Sequence, residues 1–309
     1  MPSINRTTII SGPALIKYNT TSSFWSKGNV EVKIINDRFN VETSHFGKVD
    51  ERFSDRRIEV TFEPSGAITS ALAAVLWPYG ATTVGTSVFT GTDKTLEIFG
   101  RDGRKITVHA AALTKMSTLR LGVNTTLIGP VTFTGLVKNN TDPTNAAAYY
   151  TEAAVAYPGD TGFAVSDIKT AAAGAVWGAS APWSGFTSEN GFEVDFNLNL
   201  APQKVDGIGT VDMTFQSLDV TLKAIPVGPA ATDILAKIAP TSGLGASIAG
   251  ADNLTVSAGT VAVLLNKPAI VESGLIFGAA VKRIGSTTWT ATRTITTGTA
   301  DPLFTVTVS

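Results

Sequence analysis

Cysteine is absent from all 309 residues, which excludes a disulfide framework, thiolate metal sites and a cysteine nucleophile together. Histidine is nearly absent. His45 and His109 are the whole complement, and neither has a second histidine or a carboxylate cluster at ligand spacing, so no metal site is expected. A Ser-His-Asp triad therefore has few possible bases, and no G-x-S-x-G elbow accompanies them. Neither sign of charge dominates, with 24 Lys and Arg against 25 Asp and Glu, which argues against a global grip on nucleic acid. No window holds the 18 or so apolar residues of a membrane helix, so no membrane insertion is expected. The opening "MPSINRTTIISGPALIKY" lacks the basic and unbroken apolar regions of a signal peptide, and the expectation is synthesis in the cytoplasm. The Asn-Thr-Thr triplets at 19 and 124 then read as Thr-rich turns and strands rather than glycosylation sites. The "GLGASIAG" stretch from Gly243 lacks the spacing and the Lys-Ser/Thr of a phosphate-binding loop and reads as a turn. Asp50 and Glu51 are adjacent, so in a strand they face opposite ways and cannot pair as acid and base. No catalytic residue, cofactor or metal is assigned.

The composition that remains, 43% hydrophobic and 16% charged, belongs to a folded chain, and the length suits two domains of about 150 residues. The dominant signal is β. Ile58, Val60 and Phe62 alternate with Glu59, Thr61 and Glu63, the period-two pattern of a half-buried strand. The alternation recurs at Ile106, Val108 and Ala110, at Val194, Phe196 and Leu198, and at Trp289, Ala291 and Arg293. Two short helices interrupt it. In "TSALAAVLWPYG", Leu72, Val75 and Leu76 share a face, Thr69 or Ser70 caps the start, and Pro78 with Gly80 ends it. In "ATDILAKIAP", Ile234, Leu235 and Ile238 do the same between Thr232 or Asp233 and Pro240.

A repeat runs through this pattern. "GKVDERF" at Gly47–Phe53 returns as "GTVDMTF" at Gly209–Phe215, 162 positions later. The segments starting at Gly12 and Gly174 match at the same spacing, placing Phe24 on Phe186 and Val32 on Val194. "IEVTFE" at 58 lies over "LDVTLK" at 218 with a two-residue deletion, the helices follow with Pro78 over Pro240, and "IGPVTFT" at 128 lies over "IGSTTWT" at 284. Windows in register on the same predicted elements imply tandem copies of one domain. The expected division is 1–160 and 161–309, each copy having many strands and one short helix, with the Ala-rich segment Asn145–Ala173 as the connection.

The most distinctive surface feature is "NDRFNVETSHFGKVDERFSDRR", Asn36–Arg57, a charged excursion between two strands that carries Phe39, Phe46 and Phe53. Phenylalanines along a charged segment suggest a surface completed by a partner.

The run "GPALIKY…FWSKGNVEV…VETSHFGKVDERFSD…IEVTFEPSG…ALAAVLWPYG…GTSVFTGTDKTLEI…ITVHAAALTKM…TLIGPVTFTG" resembles the major tail tube proteins of long, non-contractile-tailed bacteriophages over about residues 10–150. The second half departs from it: "LWPY" has become "IAPT", "DER" has become "DMT", and the "GTS-F" element is missing. The resemblance implies a mainly β fold of two tandem tail-tube-like β-sandwich or partial-barrel domains. It further implies a virion protein whose rings join inner strands into a barrel and stack into the conduit for DNA. Implied partners are other copies of the chain, a tape-measure protein, a tail terminator and a distal tail protein. DNA passes the lumen without specific binding, past neutral or acidic side chains. Two duplicated domains per chain imply a homotrimeric, pseudo-hexameric ring. The excursion would be the ring-stacking element, and its expected contact residues are Arg38, Phe39, Glu42, Phe46, Lys48, Asp50, Glu51, Arg52, Phe53, Asp55 and Arg56. Two other classes stay open: a β-sandwich adhesin or carbohydrate-binding module using Trp25, Trp177 and Trp183, and an esterase or glycosidase, against which the missing catalytic constellations count.

Overall fold

The computed structural model describes residues 13–19, 22–66, 68–89, 93–122, 128–159, 172–229, 233, 252–277, 282–296 and 299–309. The first half supplies β1 (Leu15–Tyr18), β2 (Ser22–Ser26), β3 (Glu31–Thr43), β4 (Gly47–Phe62), β5 (Pro64–Ser65), the helix α1 (Ser70–Leu76), β6 (Leu96–Phe99), β7 (Arg104–Val108), β8 (Ala111–Lys115), β9 (Leu119–Leu121), β10 (Val131–Gly135) and β11 (Tyr150–Ala154). The second supplies β12 (Ala173–Trp177), β13 (Thr187–Val205), β14 (Gly209–Val227), β15 (Leu254–Ala258), β16 (Val261–Leu265), β17 (Ala269–Phe277), β18 (Lys282–Thr290), β19 (Ile295–Thr296), β20 (Thr299–Ala300) and β21 (Phe304–Val308). The protein is mainly β, as the alternation predicts.

Two large sheets belong to each half and their orders correspond, while the second half adds a two-stranded ribbon, β19–β20. The first half has β11-β7-β6-β1-β2-β5 and β3-β4-β10-β8; the second has β21-β16-β15-β12 and β13-β14-β18-β17. Where β2 would sit in the second half, Phe186 bridges Ala175. The correspondence extends to individual residues of the long hairpins. Thr43 pairs with Gly47, and Val205 with Gly209. The β3–β4 ladder breaks between Asp37 and Arg38 and between Val41 and Glu42. The β13–β14 ladder breaks between Asn199 and Leu200 and between Gln203 and Lys204, each 162 positions later. A bulge is a specific local kink, and the two hairpins carry theirs at matched places.

The ladders also correct the sequence alignment in two places. Val32 pairs with Val60, which pairs with Phe133, while Val194 pairs with Leu222, which pairs with Trp289. Val60 therefore corresponds to Leu222, without the two-residue deletion that letter matching at 58 and 218 requires. Ile16 pairs with Phe24 and Ala175 bridges Phe186, so Ile16 corresponds to Ala175, and the Gly12–Gly174 match is displaced by extra residues in the turn before Phe186.

Each pair of sheets closes on its own aromatic cluster. Phe62 stacks on Phe24 and Phe133 in the first unit. In the second, Trp177, Trp183, Phe186 and Trp289 meet mainly edge to face, an arrangement the ring quadrupoles favour. Helix α1 starts at Thr69, whose hydroxyl accepts from the Leu72 N–H at 3.1 Å, and ends at Trp77, before Pro78. It buries Leu72, Ala73 and Leu76. The matching helix expected after Thr232 lies, except for Asp233, outside the described residues, as does "GLGASIAG". Ala110 is not in a strand: with φ 41° it makes the turn between β7 and β8. The segment from Asn145 is not simply a connection, because a 3-10 turn at Ala146–Ala148 and strand β11 complete the first unit.

The units join head to tail. β9 leaves the first unit and extends the sheet of the second along β13, pairing Leu119 with Val194 and Leu121 with Phe192. Gly191 takes φ +76° there, and a Cβ on it would lie 2.5 Å from the Leu121 carbonyl oxygen. The strip 83–89 lies along β14, with backbone bonds between Gly85 and Phe215, Phe215 and Thr86, and Val88 and Met213. The turn after α1 docks on the end of the chain: Leu303 donates to Gly80 O at 2.8 Å, and the Arg293 guanidinium donates to Thr82 O at 2.7 Å.

Candidate self-association surface

The excursion 36–57 is regular structure, the outer part of the β3–β4 hairpin, with its turn at Ser44–Phe46. A ladder of unlike charges runs along it. Glu51 takes Lys48 and Arg38, Asp50 takes Arg52, and Arg57 takes Asp37 and Glu59. Lys48, with Arg38 beyond it, holds the Glu51 carboxyl below the usual range. Phe53 lies under both the Arg38 and Arg56 guanidinium groups, at 5.3 and 5.4 Å, which uses the negative ring face. Phe39, Phe46 and Phe53 all present large apolar area to solvent, an unusual cost for a free surface. His45 meets Phe46 edge to face at the tip.

Ten of the eleven expected contact residues thus share one arm, with their side chains at least partly open to solvent. Asp55 does not belong with them. Its side chain is fully buried at the junction between the units, where it accepts from the Thr210 N–H at 2.8 Å and the Thr210 hydroxyl at 2.7 Å. Arg57 and Lys204 stand at 3.4 and 3.7 Å. Burial alone would push this carboxyl up, but the two Thr210 bonds and the two cations outweigh it and hold the group below its ordinary value. Sequence reasoning missed Thr210, Lys204 and Arg293. The only sequence signal for the first is its place directly after Gly209 in the repeated heptad.

Chemistry is not concentrated anywhere nearby. The cleft between the arm and the turn of the second hairpin is lined by Phe39, Phe53, Asp55, Arg56, Lys204 and Asp206, and the Asp55 carboxylate there is engaged by Thr210, Arg57 and Lys204. No group of three metal-ligating side chains occurs among the described residues. His109 donates its backbone N–H to Tyr149 O, and burial, with Lys138 nearby, lowers its pKa. Of the tryptophans proposed for a sugar site, Trp177 and Trp183 are core residues. No helix among the described residues is long and apolar enough to cross a membrane. Neither a scan against protein-family models nor a search of curated proteins finds a match to this chain.

Proposed function

We propose that this chain is the structural subunit of a bacteriophage tail tube, in which three copies form a pseudo-hexameric ring and rings stack into the conduit that delivers DNA. The observation that carries the reading is the head-to-tail union of two units of one topology, the first extending the sheet of the second through β9. A unit that adds a strand to its neighbour in one direction generates a ring or a filament on repetition, and closure removes exposed sheet edges. Duplication makes alternate contacts intrachain, so fewer subunits must be ordered per ring. The resemblance of residues 10–150 to tail tube proteins supplies the biological setting.

The solvent side of the hairpin sheets suits a passage for DNA. Threonines pair across strands at Thr61–Thr132 and Thr114–Thr134, Lys223 is matched by Asp195, and Arg120 by Glu193. Lys223 and Arg120 are thereby matched on this face, which lessens the salt-dependent adhesion that would stop DNA in transit. The arm, with Phe46 at its tip, would meet the next ring. Negative-stain microscopy of the purified protein tests the proposal: hollow tubes or rings with three chains each are expected, and a monomer at high concentration would refute it.

A further inference from the structure

The contact between the two units has a giving and a receiving side. The first unit gives β9, the strip 83–89 and the turn after α1. The second receives them on the outer edge of β13, on Asp212–Phe215 of β14 and on β21. Every receiving position has a counterpart in the first unit. Phe192–Val194 correspond to Val30–Val32, Asp212 and Phe215 to Asp50 and Phe53, and β21 to β11.

Among the described residues no added strand or backbone strip lies along β3 or along Asp50–Phe53. β3 has no strand on its outer edge. Phe53 is 60% exposed where Phe215, stacked on Tyr79, is 2%. Ile34 is 45% exposed where Phe196 is 8%. Thr151–Ala154 of β11 are exposed as well.

The shared letters of the heptad tell the same story. In the second copy Asp212 accepts from its neighbour Met213 N and from Phe89 N of the first unit. In the first copy Asp50 accepts from its neighbour Glu51 N at 2.8 Å, the equivalent of the first bond, with no backbone strip present for the second. Gly209 lets Asp55 approach, because a Cβ on it would lie 2.6 Å from the Asp55 Oδ1, whereas nothing lies within 4 Å of a Cβ on Gly47. The first unit therefore keeps a glycine, an aspartate and a phenylalanine that its own chain does not engage as the second unit's are engaged.

A giving side is present too. Leu113 opposite Phe133 matches Ile270 opposite Trp289, and Leu119, which bridges Ile128, corresponds to Leu275, which pairs with Ile284. Leu119 is fully buried against β13, while Leu275 is only partly buried and Ile276 beside it is exposed. The β17–β18 hairpin pairs with β14 only through Thr287–Thr290 and runs on beyond it to Lys282.

We infer that β3 and the arm of the first unit receive the second unit of another copy of this chain, Leu275 of one copy lying opposite Val32 of the next as Leu119 lies opposite Val194 within the chain. This deepens the proposed assembly and rests on it in taking the partner to be a second copy. The flank of the arm is then a sideways contact, and only its tip is left for stacking.

The absence of cysteine makes the test direct. In the double variant Val32→Cys, Leu275→Cys, mild oxidation of the assembled protein should give covalent multimers on a non-reducing gel, while Val32→Cys with Val271→Cys, four residues out of register, should give several-fold less. Hydrogen exchange on the unmodified chain adds a readout that no substitution can spoil: amides of 30–34 and 50–53 should slow on polymerisation by tenfold or more. Tubes that form without the cross-link and without that protection would overturn the inference and leave the tube reading standing. Cross-linked, protected oligomers that never become tubes would support the inference and overturn the tube reading. A chain that stays monomeric at every concentration would overturn both.

Discussion

Asp55 offers the sharpest check on how the two units are held together. It is a first-unit carboxylate with no solvent exposure, and two bonds from one residue of the second unit, Thr210, satisfy it. Hydrogen bonds to a charged group contribute about 1.5–3 kcal/mol each. Arg57 and Lys204 add less, because both are partly exposed and surface pairs are worth only about 0–1 kcal/mol. Asp55→Ala removes both bonds and leaves the Thr210 N–H, itself buried, without an acceptor; a loss of about 3–5 kcal/mol follows. Asp55→Asn keeps the shape and one good acceptor, and should cost only about 1–2 kcal/mol.

Two assays read this out. Urea unfolding of Asp55→Ala, Thr210→Ala and the double variant should give a coupling energy above about 1 kcal/mol. A pH series supplies the second. The folded pKa of Asp55 is depressed, so its stabilisation is fully present above the unfolded value of about 3.9 and is lost as pH falls through the folded value. Wild type should therefore lose stability below about pH 4, and Asp55→Asn should flatten part of that acid limb. Additive single variants, or an acid limb unchanged by Asp55→Asn, would show that the carboxylate does not tie the units together.

Three other expectations follow from the same contacts. Gly209→Ala combines φ +93° with a clash on Asp55 Oδ1 and should cost about 3 kcal/mol or more, whereas Gly47→Ala, at φ +66° in open space, should cost about 1–2 kcal/mol in the unassembled chain; equal losses in urea would contradict the junction. Tyr79→Phe keeps the ring on Phe215 but removes the hydroxyl's bond to Leu113 O, for a loss of about 1–2 kcal/mol in thermal or denaturant melts. Burial raises the Tyr79 hydroxyl and pushes Tyr18 up to about 12, so stability should decline as pH rises past the free tyrosine value of about 10, less steeply in Tyr79→Phe. Replacing Phe46 and Phe53 with Ser should leave folded, soluble protein that forms no long tubes, since both rings stand outside the core; normal polymerisation by microscopy would remove the arm from the assembly surface.

What could be read from the letters alone follows from how far each signal reaches. Strand alternation is local, so Ile58, Val60 and Phe62, and Val194 and Phe196, announced the core faces that the structure buries. The cap at Thr69 and the stop before Pro78 are local as well. Register is not local. A ladder is fixed by partners dozens of residues away, so letter matching placed 58 over 218 where bulges and cross-strand partners place Val60 with Leu222. The charged excursion was visible in composition, but charge alternation is equally compatible with a loop, and only pairing with β4 makes it an arm. Asp55 illustrates the hardest case. It sits amid exposed charges in sequence, and what buries it is Gly209 and Thr210 of the other unit. The repeat held that information in another form. Two copies of a hairpin that differ in exposure at Phe53 and Phe215 have the same fold and different neighbours, so divergence in burial between matched positions marks where a neighbour is present in one copy and still to be supplied in the other.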